Sequence, residues 1–202
     1  LRSGEQMPFD VRLIANGILL ALHWLAFFAA IQVSTVAIGM LGYASFPLFT
    51  LAAERVFLAR RLRRREWMTA LLVTGGLVLL VPELSLSNPA VQGLAWGLVS
   101  GFTFALIVVM NRRWTASRPA IDIAFWQNLL AALVLLPFMW AAPWEIGSIG
   151  AREIMLLLVL GLACPALAPT LFIGALAAVS AHTASVIAAL EPVYGIALAL
   201  AF

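Results

Sequence analysis

Seven long apolar runs, separated by short polar or arginine-bearing segments, constrain this chain more than any other feature. They are Leu13–Val33, Val36–Phe57, Trp67–Val81, Gly93–Met110, Ile123–Trp140, Ile154–Val179 and Thr183–Phe202. A bilayer core about 30 Å thick is crossed by about 20 residues of helix. Inside hydrocarbon every backbone polar group must be satisfied within the protein, and a single continuous run meets that demand only as a helix. The third run is short, but Trp67 and Pro82 bracket it at the two interfaces. A soluble bundle would leave a polar stripe at helical spacing on each helix, whereas these runs are apolar all round. Composition agrees: 64% of the 202 residues are hydrophobic and only 10% charged, against about 25% charged in a soluble domain. The expected fold is an all-α membrane protein, a bundle of seven transmembrane helices.

The charges specify how the runs are threaded. The net charge is +3 and all 12 basic residues are arginine. They do not form one basic face. They sit in the segments between runs, so topology explains them better than nucleic-acid binding does. If the runs alternate in direction, Arg2, Arg12, Arg55, Arg60, Arg61, Arg63, Arg64, Arg65, Arg112, Arg113 and Arg118 fall on one side and Arg152 alone on the other. The positive-inside rule makes the arginine-rich side cytoplasmic. The run "RRLRRRE" is then a topology determinant, with contact to anionic lipid as the weaker alternative. One cysteine, Cys164, excludes an intrachain disulfide or thiolate metal site. The chain opens on Leu1 and closes inside an apolar run, so we expect a fragment cut at both ends.

Two hairpins echo each other. "FFAAIQVSTVAIGMLGYASFPLF" runs from Phe27 to Phe49 and "FIGALAAVSAHTASVIAALEPVY" from Phe172 to Tyr194. Each has an apolar helix, a Val-Ser turn and a second helix broken by proline. Pro47 and Pro192 are 145 residues apart, as are Phe27 and Phe172, while Val33-Ser34 matches Val179-Ser180 with a shift of one. The first hairpin starts from the arginine-rich side and the second from the opposite side, the inverted arrangement found in many secondary transporters. The separation covers five runs, which implies a five-helix repeat.

The segments "ALHWLAFFAAIQVSTVAI", "YASFPLFTLAAER", "WGLVSGFTFALIVVMNRR" and "AALEPVYGIALAL" resemble the EamA-type members of the drug/metabolite transporter superfamily. The likeness covers nearly the whole chain. It implies ten helices in two inverted five-helix repeats, with export or exchange of amino acids and other small metabolites. On that frame residues 1–89 hold three helices of the first repeat and residues 90–202 four of the second. Two helices are then missing at the front and one at the back. The Glu-Pro pair of the second hairpin is Phe46-Pro47 in the first, so the acid has no symmetric partner.

Candidate site residues follow from depth and chemistry. His23 lies about 15 Å and Glu191 about 12 Å from the arginine-rich side at 1.5 Å per residue, so both reach one layer near mid-membrane. Pro47, Tyr43, Pro165, Pro169 and Tyr194 fall close to it. A carboxylate at that depth is costly unless paired or hydrated. Glu191 is therefore a candidate for binding a substrate amine or relaying a proton. The plainer reading is a hydrogen bond to backbone freed by Pro192. His23 is the second proton-coupling candidate, or else a histidine packed between helices. Trp24, Tyr43, Trp96, Trp126 and Tyr194 are candidates to line a substrate pocket with His23 and Glu191, although aromatic residues also fill bundle cores. Pro47, Pro165, Pro169 and Pro192 are candidate helix breaks or hinges. "CPALAP" carries two of them, and broken helices in transporters expose carbonyls to a central site.

Other features read as structural. Gly93, Gly97 and Gly101 share a helix face and permit close helix approach. Gln127 and Asn128 are expected to bond across helices. Glu54 is expected as an interfacial ion pair or cap, with a cytoplasmic gate as the alternative. Asn16 and Gln32 are expected to be structural. No phosphate loop, His-x-x-x-His pair or Gly-x-Ser-x-Gly elbow is present, so we expect no enzyme, cofactor or metal. The expected function is secondary-active or facilitative transport of a small amino acid-like or amphipathic metabolite by alternating access, with export the expected direction. The partners would be the substrate, the lipid bilayer of a bacterial inner membrane and, as a candidate, protons. The protein would be a monomer or weak homodimer that binds no nucleic acid. The rival is a seven-helix receptor or sensor without transport.

Overall fold

The computed structural model describes residues 11–59, 61, 63–79, 85, 87–141, 150–162 and 166–191. Among them the chain forms nine helices and no strand. These are α1 (Val11–Val33), α2 (Val36–Tyr43), α3 (Phe46–Phe57), α4 (Arg64–Leu79), α5 (Pro89–Trp114), α6 (Ala120–Ala141), α7 (Ala151–Leu162), α8 (Ala168–Ala175) and α9 (Ala181–Ala188).

Four spans among the described residues are long and apolar enough to cross a membrane: α1, α2 and α3 taken together, α5, and α6 as far as Trp140. They coincide with the first, second, fourth and fifth apolar runs. The third run forms α4, of 16 residues, and the sixth is described as α7 and α8 on either side of residues 163–165. The seventh is described only to Glu191. Pro165, Cys164, Pro192 and Tyr194 lie outside the described residues.

Helix ends are set by local chemistry. Asn88 caps α5 by accepting from the Ala90 amide at 2.9 Å, with Pro89 in the first turn. Residues 89–92 and 111–114 therefore extend the helix about a turn beyond its apolar run at each end. Pro47 has no amide to bond the Tyr43 carbonyl four residues back. The α2–α3 span accordingly breaks at Ala44-Ser45, where Ser45 Oγ donates to Gly42 O at 2.6 Å. Pro137 sits within α6 without ending it. Beyond α3, Ala59 takes a left-handed φ of 51°.

The internal echo has a backbone counterpart. Thr35 caps α2 through Ile38 N, and Ser180 caps α9 through Thr183 N. These caps are 145 residues apart, as are the first and last residues of α2 and α9 (36 and 181; 43 and 188). The one-residue shift seen between the Val-Ser pairs disappears when the two caps are matched.

α5 is central, packing on α1, α2 and α3 along its length, with α6 beyond α1 and with α8 and α9 at one end. Contacts fix the directions. Asn16 meets Asn111, His23 meets Ser100, and Ala30 and Ser34 meet Gly93, so α1 and α5 are antiparallel. Gly42 meets Gly97, and Ala53 clusters with Val108 and Val109, so the α2–α3 span runs parallel to α5. Arg12, Arg55, Arg112, Arg113 and Arg118 therefore gather at one end, called here the arginine end. The first hairpin turns at the far end beside Gly93, while the second turns at the arginine end beside Glu54.

The α2–α5 crossing is unusually close. A Cβ on Gly97 would lie 2.8 Å from Gly42 Cα, and one on Gly42 would lie 2.9 Å from Gly97 Cα. Only glycine at both positions lets backbone meet backbone, the small-residue contact by which membrane helices associate.

Candidate functional site

Midway along the bundle an aromatic cluster surrounds His23. The spacing of 16, 20, 23, 27 and 30 keeps Asn16, Leu20, His23, Phe27 and Ala30 on one face of α1. On α5, residues 97, 100, 104 and 111 form the facing row. His23 Nδ1 lies 2.9 Å from Ser100 Oγ and 3.1 Å from Ser100 O. With a proton on Nδ1 the ring donates to that carbonyl, which also accepts from Thr103 Oγ1 at 2.9 Å. The histidine thus bonds across to α5, not to its own helix.

Ring centroids lie 4.9 Å from His23 to Phe104, 5.4 Å to Tyr43 and 6.3 Å to Phe27. Tyr43 stacks on Phe46 at 5.0 Å, and Phe104 reaches Phe172 of α8 at 6.0 Å. The cluster therefore joins α1, the α2–α3 break, α5 and α8. The cluster places a polar, two-nitrogen ring against aromatic faces in the buried interior of the bundle. Glu191 follows the α9 turn and is exposed.

The sequence-derived residues divide accordingly. His23 and Tyr43 are at the centre, and Pro47 is buried at the α2–α3 break. Pro169 is half-buried in the first turn of α8. Trp24 packs instead with Leu20, Ala21, Ile107 and Ala131. Trp96 is 46% exposed, and Trp126 is exposed with its ring against Phe125. Trp24 shares that apolar cluster with Phe104 of the ring group around His23, whereas Trp96 and Trp126 are exposed. Phe27, Phe46, Ser100, Phe104 and Phe172 were not anticipated. The four-residue steps from His23 to Phe27 and from Ser100 to Phe104 were the available signal.

A second polar group lies toward the arginine end. Asn16 Nδ2 donates to Asn111 Oδ1 and to Gln127 Oε1, both at 2.8 Å, and Asn111 Nδ2 donates to Gln127 Oε1 at 2.9 Å. All three side chains are buried, one each from α1, α5 and α6. Nearby, Glu54 is 2% exposed and its Oε1 accepts from the His182 backbone amide at 3.3 Å, in the first turn of α9. Glu54 thus acts as a cap, borrowed by a helix 128 residues away in sequence.

Comparison with known proteins adds an independent line. A family model described as the EamA-like transporter family matches residues 91–202, more than half of the chain. The pseudopaline exporter CntI of Pseudomonas aeruginosa strain UCBPP-PA14 is 28% identical over 129 residues, covering 64% of this chain and 45% of that protein. Its counterpart in strain PAO1 is 28% identical over 128 residues, covering 63% and 45%. The chain spans less than half the length of these relatives.

Proposed function

The chain belongs to the EamA-like transporter family, and from that premise we propose that the full-length protein exports a small amphipathic metabolite by alternating access. It is a multi-pass membrane protein of a transporter family, not of an enzyme family. Two relatives are named as exporters of pseudopaline. That naming supports export as the direction and a small metabolite as the cargo class.

The observation that carries the reading is the ring cluster around His23, where two hairpins of opposite direction meet. A carrier working by alternating access needs its site at such a junction. In this proposal the whole protein has ten helices in two inverted repeats, divided here near residue 89, with the arginine end in the cytoplasm of a bacterial cell. The matching 145-residue offset of caps and helices supports the repeat. His23 and Tyr43 contact the cargo, and Glu191 binds its amino group or exchanges a proton. Tyr194, Pro165 and Pro192 remain part of the proposed site and hinges. Trp24, Trp96 and Trp126 remain candidates with less support, since Trp96 and Trp126 are exposed and Trp24 packs on Leu20, Ala21, Ile107 and Ala131.

The test uses full-length protein in sealed vesicles, screened against zwitterionic and amphipathic metabolites with and without a proton gradient. Flux of at least one compound is expected, with His23→Leu and Glu191→Gln each lowering it. Flux that ignores both substitutions would remove the site assignment. A full-length protein with seven helices, no flux and a ligand-induced conformational signal would favour the receptor reading.

A further inference from the structure

We propose that Asn16, Asn111, Gln127, Glu54 and His182 form a two-point polar latch that holds the arginine end shut and must part when the carrier opens there. This rests on the alternating-access reading above. One point is the carboxamide triad, which ties α1 of the first half to α5 and α6 of the second. The other is Glu54 of α3 holding the amide of His182 in α9. Both join first half to second, and both lie at the same end. Toward the far end the halves meet through glycine backbone at Gly42 and Gly97.

The latch is also poised to release. Among the described residues, Asn16 Oδ1 and the His182 ring Nδ1 are buried without a hydrogen-bond partner. A buried polar atom with no partner loses its hydration with no bond to compensate. Opening admits water to both atoms, which offsets part of the loss of the hydrogen bonds. An all-apolar seam would lack this compensation, and a fully satisfied network would resist opening. Closed and open states are thereby kept within reach of a modest binding energy.

The experiment measures spin-label distances in the full-length protein in lipid nanodiscs without substrate. One label pair at Val56 and Ala116 reports the arginine end, and another at Ala37 and Ala95 the far end. All four positions are exposed. Asn111→Leu removes two hydrogen bonds and should raise the ratio of long to short separations at the arginine end about tenfold. Glu54→Ala should act in the same direction and carries the test if the first variant does not fold. His182→Leu keeps the backbone amide but deletes the orphaned nitrogen, so it should shift the ratio the opposite way. The far-end pair should not lengthen in any variant. Lengthening at both ends would mean general loosening and would overturn the latch. So would an unmoved arginine-end pair, or His182→Leu opening it. If the pair responds as stated while no compound is carried, the latch stands and the transport reading falls. If flux persists with the pair unmoved, the latch falls and transport stands.

Discussion

Phe104 touches His23, Tyr43, Phe46 and Phe172, so one ring fastens α1, α2, α3 and α8 to α5. Phe104→Ala should destabilise by about 2–3 kcal/mol, below the cost of truncating a fully buried phenylalanine because Phe104 is half-buried, read as thermal unfolding of detergent-solubilised full-length protein. Trp96→Ala, on an exposed face, should stay within about 0.5 kcal/mol. Equal losses would refute the packing role. Ser100→Ala offers a finer comparison. It removes the hydroxyl near His23 Nδ1 but leaves the Ser100 carbonyl 3.1 Å away. The expected loss is about 1 kcal/mol, one net hydrogen bond. A loss as large as that of Phe104→Ala would mean that the hydroxyl, not the stacking, fixes the ring. His23 and Tyr43 could be picked out from sequence as polar groups deep in apolar runs. Ser100 and Phe104 offered only their four-residue spacing, because a helix that is apolar all round carries no stripe to show which face meets protein and which meets lipid.

At the scale of elements, two contrasting backbone features make opposite predictions. Gly97 admits no Cβ, since Gly42 Cα would be 2.8 Å away. Gly97→Val should therefore part α2 from α5 and lower stability by about 1–3 kcal/mol or more, as overpacking does. A variant melting at the wild-type temperature would contradict the crossing. Ala59 presents the reverse case. Its φ of 51° costs a residue with a Cβ about 1 kcal/mol, which glycine escapes. Ala59→Gly should be neutral to stabilising by up to about 1 kcal/mol in the same melt, although the greater freedom of glycine in the unfolded chain would by itself produce a loss. The sequence located these elements well where long apolar runs meet strong end signals, as at Asn88-Pro89. It placed the α2–α3 break at Pro47, yet the bend falls at Ala44-Ser45, because proline disturbs the turn preceding it. It read Glu54 as an ion pair or cap but could not name the distant helix, since that pairing exists only after the bundle assembles.

For the whole molecule, alternation of helix directions was the premise on which the arginines segregate, and the α1–α5 contacts from Asn16·Asn111 to Ser34·Gly93 run in the order it requires. Which end faces the cytoplasm is a separate prediction. In full-length protein carrying Cys164→Ser, a cysteine at Ala116 should resist a membrane-impermeant thiol reagent in intact cells and react in inverted vesicles. A cysteine at Ser87, exposed just before α5 at the far end, should show the reverse. Exchange of the two patterns would invert the orientation and place the latch outside.

The bare meeting of Gly42 and Gly97 has a mechanical meaning. Surfaces without interlocking knobs can pivot, and a pivot magnifies small angles along the lever it carries. Asn111 lies 14 residues beyond Gly97. That lever is about 21 Å of helix, so a rocking of about 10° moves its tip by about 4 Å. A displacement of that size exceeds the reach of any hydrogen bond, so a fulcrum made of two glycines converts a slight tilt into complete disengagement at the distant grip.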